Sequence, residues 1–459
     1  MPAVKIAGQL EPAPGRDYSR SVMKSLSRLV FASALAGLAA SIAASAASAD
    51  VDRAFSAFWA ARTPQEAAKL VPDIVRSGVT FEDASRRLKA GRPYAANVPK
   101  GVVRSSYQAG GKEFFYAVNV PDSYDPAQRY QVRFQLHGGV SRDSNKPRGD
   151  GSIGALAGAE QIYILPTAWA DAMWWSPIQL ENLSTILDTV KRTYNVDENR
   201  VVLSGVSDGG TGAFYVAMKA TTPFASFLPL NGSMLVLRSE DLAVGDLFPT
   251  NLRNKPLFIV NGGRDPLYPT SHRGPYVEHL KAKGVEIVYQ PQPNGVHNTA
   301  WWPDVKDSFE AFVRGHSRIP LPETLTWETT GTPSDNRAHW LVIDKLAPNR
   351  RQDPELSDVN RLTDAGQMLF DNTLPSGRVD LARSGNTVTA STRGVAEFTL
   401  LLSPDAFDFS KPVKVEANGR VMFNGRVEPS VETLLKWAAR DNDRTMLFAA
   451  ELTVKLPTS

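Results

Sequence analysis

Val201-Val202-Leu203-Ser204-Gly205-Val206-Ser207-Asp208-Gly209-Gly210-Thr211-Gly212-Ala213 passes from an apolar strand through a serine between glycines into the start of a helix. Val201 to Leu203 has the character of a buried strand, and Gly212 to Met218 that of a helix body. Between them, Gly205 to Gly209 matches G-x-S-x-G, and strand, tight turn and helix is the context in which that pattern exposes a nucleophilic serine. A serine hydroxyl attacks only when a base removes its proton, and it must stand clear of its neighbours. Glycine on both sides removes the Cβ atoms that a turn this sharp would crowd. The helix that follows directs free N–H groups at the point where an oxyanion forms.

The base that Ser207 needs is best supplied by His297, in Pro293-Asn294-Gly295-Val296-His297-Asn298, a loop after a predicted strand. The other five histidines fit less well. His137 belongs to a glycine turn, His272 and His279 lie on or near a helix, His316 ends one, and His339 falls in a later β-rich region. The orienting acid is assigned to Asp265, directly after the apolar strand Leu257 to Asn261 and the Gly262-Gly263 turn. Such a carboxylate fixes the imidazole tautomer and stabilises the imidazolium. Its rival Asp304 reads as an acid in the first turn of the last helix of this unit. The oxyanion donors are expected in the backbone of Asp208 and of either Gly139 or Val140, which follow the strand Tyr130 to Leu136 and His137-Gly138. His137 itself reads as a structural hydrogen-bonding residue.

Strand–helix alternation extends around this centre. Strands are expected near Val102, at 114–120, 130–136, 162–166, 201–204, 227–231, 257–261 and 285–290. Helices are expected at 180–194, 271–283 and 304–315. The class is α/β, a mostly parallel sheet with helices on both faces. Before it, residues 50–100 read as two or three short helices packed on the main domain. After it, Pro320 and Pro322 mark a linker. Residues 325–459 then change to short strands with Asn-Gly turns and one helix, which predicts a separate sandwich-like β-rich domain.

The assembled motifs resemble the α/β-hydrolase superfamily over residues 101–318, and among its members the exported esterases related to feruloyl esterases and polyhydroxybutyrate depolymerases. The resemblance is carried by LHGG at Leu136–Gly139, GVSDGG at Gly205–Gly210, NGGRDPLYP at Asn261–Pro269 and the late His297. It implies an exported serine hydrolase cleaving a small-molecule or polymer-borne carboxylic ester through an acyl-enzyme. A serine peptidase of the prolyl-oligopeptidase type is the alternative within enzymes, although no propeller-length segment precedes the catalytic unit. A non-catalytic binding protein on the same scaffold is the alternative outside them. Val140 stands where HGGG lipases have a further glycine, so the donor stays open between Gly139 and Val140. Trp174, Trp301 and Trp302 fall in loops after strands or beside His297, where an aromatic-lined substrate pocket is expected.

Composition narrows the setting. The 459 residues contain no cysteine, which excludes disulfides and thiolate chemistry, and neither a metal site nor a cofactor is indicated. The formal net charge of +3 lies within residues 1–49, leaving a neutral remainder and no electrostatic case for nucleic acid. Residues 23–49 read as an export signal with a basic start, an uncharged run from Leu29, and the small-residue site Ala47-Ser48-Ala49 before Asp50. The expected location is therefore periplasmic or extracellular, without stable membrane insertion after cleavage.

Overall fold

A computed structural model describes residues 48–147, 149–239, 245–348, 358–362, 367–370 and 374–457. Residues 1–47, and with them nearly all of the expected export signal, lie outside the described residues. No helix among the described residues is long and apolar enough to cross a membrane.

The eight-stranded sheet comprises β1 (Gly101–Ala109), β2 (Lys112–Val120), β3 (Tyr130–Leu136), β4 (Ile162–Pro166), β5 (Val196–Val206), β6 (Ser226–Leu230), β7 (Leu257–Gly262) and β8 (Ile287–Gln292). Their order is β1-β2-β4-β3-β5-β6-β7-β8. β1 and β2 run antiparallel to their neighbours, and from β4 onward every pairing is parallel. Period-two alternation divides the side chains between two cores. Leu203, Leu257 and Ile259 join one face, covered by three helices numbered α4 to α6 in chain order: α4 (Pro177–Thr193), α5 (Asp208–Lys219) and α6 (Thr270–Ala282). Val202, Phe258 and Val260 join the other, covered by α7 (Trp302–Gly315). Both faces being covered explains why β6 and β7 are buried at every residue.

The amino-terminal helices are α1 (48–60), α2 (Pro64–Arg76) and α3 (Phe81–Ala90). Thr63 and Thr80 cap α2 and α3 by accepting the N–H groups of Glu66 and Asp83, and Pro64 occupies the first turn of α2. This segment touches the α/β unit, where Arg192 Nη1 donates to the Ala61 carbonyl at 2.8 Å and Val98 packs against the core, but the helices bury their apolar faces elsewhere. Phe55, Phe58 and Ile74 instead form one cluster with Leu434, Leu435 and Ala438 of α8 (Val431–Asp441). That helix turns Trp437 toward the β-rich core and leaves an opposite apolar face to be covered.

The β-rich region has two sheets with β9 to β17 numbered along the chain: β9 (Thr324–Thr329), β10 (Arg337–Ala338), β11 (Leu341–Leu346), β12 (Gly377–Ser384), β13 (Thr387–Arg393), β14 (Val395–Leu402), β15 (Val413–Ala417), β16 (Arg420–Gly425) and β17 (Ala450–Lys455). The orders are β10-β11-β14-β17 and β16-β15-β13-β12-β9, enclosing Trp327, Trp340, Phe398 and Phe448. Asn418 and Gly419, both at positive φ, make the tight turn between β15 and β16. Packing continues across the expected linker. Val359, Leu369 and Phe370 belong to the core of the α/β sheet. Asn251 pairs with the backbone N–H and C=O of Glu328 at 2.8 and 2.9 Å. Lys219 of α5 forms buried ion pairs with Asp246 and Asp335.

Candidate active site

Ser207 sits between β5 and α5 with φ 57° and ψ −119°, a strained conformation for a non-glycine residue. The strain is held by close packing. A Cβ on Gly205 would collide with the carbonyl of Gly209, and one on Gly209 with the carbonyl of Leu136. The Ser207 N–H is fixed on the Leu230 carbonyl at 2.9 Å. The side chain is thereby presented at the carboxyl edge of the parallel strands.

Three residues far apart in sequence converge there. Ser207 Oγ lies 2.9 Å from His297 Nε2, and His297 Nδ1 lies 2.7 Å from Asp265 Oδ2. Asp265 is almost fully buried, and its Oδ1 accepts the backbone N–H groups of Leu267 and Tyr268 at 2.9 and 2.8 Å. A carboxylate held on both oxygens fixes Nδ1–H as the donor and leaves Nε2 to accept the serine proton. Tyr268 packs edge-on against the imidazole at 5.2 Å, and the Arg273 guanidinium lies 4.6 Å over the tyrosine ring. Burial raises the Tyr268 hydroxyl pKa and lowers that of Arg273. The rival Asp304 is exposed in the first turn of α7.

The proposed oxyanion donors divide. Val140 is corrected: its N–H is already bonded to Asp208 Oδ2 at 2.9 Å, so it ties the glycine turn to α5. The N–H groups of Gly139 and Asp208 have no acceptor among the described residues. The Ala168 N–H donates to His137 Nε2 at 3.1 Å, which leaves Nδ1–H to donate to the Gly138 carbonyl at 2.9 Å. In a trans peptide the N–H points opposite to the C=O, so anchoring the Gly138 carbonyl turns the Gly139 N–H the other way. A Cβ on Gly138 would press on Ser207 Cβ at 2.8 Å, which places this turn directly against Ser207.

Asn231 had no sequence signal beyond its Asn-Gly turn. It sits at φ 48°, donates from Nδ2 to the Asn298 carbonyl at 2.7 Å, and accepts the Gly262 N–H at 3.1 Å. It thus braces the histidine loop and the strand end leading to Asp265.

No family model matches the chain. Acyl-protein thioesterase 1 of Gibberella zeae is 28% identical over 116 residues, which are 25% of this chain and 47% of that protein. The chain thus spans about half the length of this curated relative. Among solved structures, a ferulic acid esterase covers 46% of this chain and 96% of its own, at 15% identity and TM-score 0.36. Esterase 2 of Thermogutta terrifontis covers 47% and 94%, at 15% and 0.38. Est1E of Butyrivibrio proteoclasticus covers 47% and 98%, at 14% and 0.36. What identifies the architecture is its own strand order, with a strained serine after β5, an acid after β7 and a histidine after β8. The fold is that of the α/β-hydrolases.

The α/β-hydrolase unit does not use the tryptophans as expected. Trp174, Trp301 and Trp302 are all at most 5% exposed. The Trp174 indole donates to the His137 carbonyl at 2.8 Å and supports the glycine turn from behind. Trp302 donates to the Ala157 carbonyl at 3.3 Å and stacks edge-on with Phe309, while Trp301 packs in the same core. Loops that must hold a catalytic geometry need their own packing, and these indoles supply it. A cavity of about 300 Å³ lies beside the glycine turn, lined by aliphatic side chains such as Leu156, Leu165 and Val206 and by polar ones such as Gln135, Ser152 and Thr299, with Gly138 at its border.

Proposed function

We propose that this protein is a serine hydrolase that cleaves a carboxylic ester through an acyl-enzyme, with Ser207 as nucleophile, His297 as general base and Asp265 as its orienting acid. The observation that carries this reading is the unbroken chain from Ser207 Oγ through His297 to Asp265, at 2.9 and 2.7 Å. His297 Nε2 takes the Ser207 proton as Oγ bonds to the ester carbonyl carbon. The negative charge on the carbonyl oxygen faces the N–H groups of Gly139 and Asp208. Collapse of the tetrahedral adduct breaks the bond to the leaving alkoxide, which receives the proton from His297. Water then attacks the acyl-enzyme with His297 again as base, releasing the acid and restoring Ser207. Each oxyanion donor of this type contributes roughly 10²–10³-fold in rate.

A thiolate leaving group satisfies the same steps. The curated relative is a thioesterase by name, so matched aryl ester, thioester and anilide substrates form the test. Turnover of the ester or thioester with little on the anilide supports the proposal; an anilide preference contradicts it and favours a peptidase.

We further propose export, on the basis of the basic start, uncharged run and Ala-Ser-Ala site before Asp50. Amino-terminal sequencing of protein from an exporting host should return Asp50 as the first residue. Retention of residues 23–49 in a membrane fraction contradicts cleavage.

A further inference from the structure

The cavity beside the nucleophile runs from Gly138, Val206 and Thr299 to Ala117, Leu156 and Leu165. On the ester-hydrolase reading, the directions around a carbonyl carbon bonded to Ser207 Oγ are limited. One is the bond to Oγ. The oxyanion must face the Gly139 and Asp208 N–H groups. The leaving oxygen must reach His297 Nε2 to receive its proton. The remaining direction belongs to the acyl substituent, and the space next to Gly138 and Val206 is the volume available to it.

The lining also carries chemical information. Its ionisable side chains are the buried Tyr116, His137, whose two ring nitrogens are both engaged, and Arg104, which is exposed. No acid lines it. Gln135 is buried, and its Oε1 accepts from Arg133 Nη2 at 2.9 Å and from Ser204 Oγ at 2.6 Å. Because arginine only donates, the amide orientation is fixed with oxygen toward Arg133. The Nε2 group has two protons, and among the described residues it makes one long contact, to the Leu136 carbonyl at 3.4 Å. An amide donor is therefore left over on the cavity wall, where the hydroxyls of Ser152 and Thr167 are already bonded to Asp150 Oδ1 and the Phe115 carbonyl at 2.6 and 2.9 Å, and Tyr116 and Thr299 are the other hydroxyl residues of the lining.

We propose that this cavity is the acyl site, and that Gln135 Nε2 selects uncharged apolar acyl groups carrying a hydrogen-bond acceptor, such as a ketone or ether oxygen along the chain. The proposal rests on the ester-hydrolase reading. Gln135 acts here as a specificity residue, held in register by the buried Arg133 and Ser204.

The test measures kcat/KM with p-nitrophenyl esters from acetate to octanoate, with acetates of alcohols of increasing length, and with hexanoate against its 4-oxo and 5-oxo analogues. In the wild-type protein, each added acyl methylene should raise kcat/KM up to about fourfold until the cavity is full. At least one oxo ester should exceed hexanoate by roughly 3–10-fold, the worth of one added hydrogen bond. Leu165→Ala should move the acyl optimum to longer chains without reshaping the alcohol series, and Leu156→Ala, at another lining position, gives a second enlargement. Gln135→Glu keeps acceptors for Arg133 and Ser204 but removes the donor, so the oxo preference should vanish. A reshaped alcohol series, an unmoved acyl optimum in both leucine variants, or equal rates on the oxo and plain esters in the wild type overturns the proposal. Wild-type failure on every acetate, without labelling by a fluorophosphonate, instead overturns the hydrolase reading beneath it.

Discussion

At the scale of single residues, the site depends on side chains whose partners lie in other strand ends. Asp265 has both carboxylate oxygens occupied, by two backbone N–H groups and by His297. Asp265→Asn keeps the shape but can present an amide N–H to Nδ1 and favour the wrong tautomer. It should lower kcat by roughly 10²–10⁴ with little change in stability. Asp304→Asn, in the exposed first turn of α7, should cost less than about 1 kcal/mol and leave the rate nearly intact. Steady-state kinetics of the pair decide between them, and the reverse ranking contradicts the assignment. The approach of Asp265 to His297 was legible because a buried strand, a glycine turn and an acid are adjacent in sequence. Asn231 was not, because its two bonds run to Asn298 and Gly262, and an Asn-Gly pair announces only a turn. The tryptophans misled for a related reason. A loop position says where an indole begins, but burial depends on what packs over it, and here Phe309, Ala157 and His137 do.

At the scale of elements, α5 has Ser207 at its amino-terminal cap and a buried ion cluster at the other end. Lys219, in its last turn, pairs with Asp246 and with Asp335 from the β-rich region, and Asp335 also accepts the Thr329 hydroxyl at 2.8 Å. Removing the cation leaves two carboxylates facing each other in a dry interface. Lys219→Met should therefore destabilise the protein by about 3–5 kcal/mol in chemical denaturation. A loss below about 1 kcal/mol would show the cluster to be incidental. The strands and helices of the α/β unit were readable from apolar runs and helical spacing, since both sheet faces are covered and strands such as β4, β6 and β7 are correspondingly apolar. The partner of the amino-terminal helices was not readable. Their amphipathic faces specify that something covers them, and α8, more than three hundred residues later, has a face of the same kind.

At the scale of the whole molecule, the α/β unit and the β-rich sheets meet through buried polar groups as well as a shared core. Glu328, in β9, is buried at that junction, its carboxyl pushed up to about 8 by desolvation from an ordinary value of 4.5. The folded state thus holds this proton where the unfolded chain has lost it. The stability so conferred is present in full below about pH 4.5 and is lost as pH rises toward 8. Glu328→Gln, which cannot ionise, should match the wild type near pH 4 and exceed it by on the order of 4 kcal/mol at pH 8. Urea titrations at the two pH values measure that difference, and a constant offset would mean that Glu328 does not titrate across this range.

The central claim is that Ser207 is an activated nucleophile, and an active-site-directed fluorophosphonate tests it most directly. The wild-type protein should gain one covalent adduct, located by peptide mass spectrometry at Ser207, and lose ester turnover in step with labelling. Ser207→Ala should fold, resist the label, and fall in turnover by roughly 10⁴–10⁶-fold. An adduct on another residue, or near-wild-type turnover by Ser207→Ala, would contradict the account.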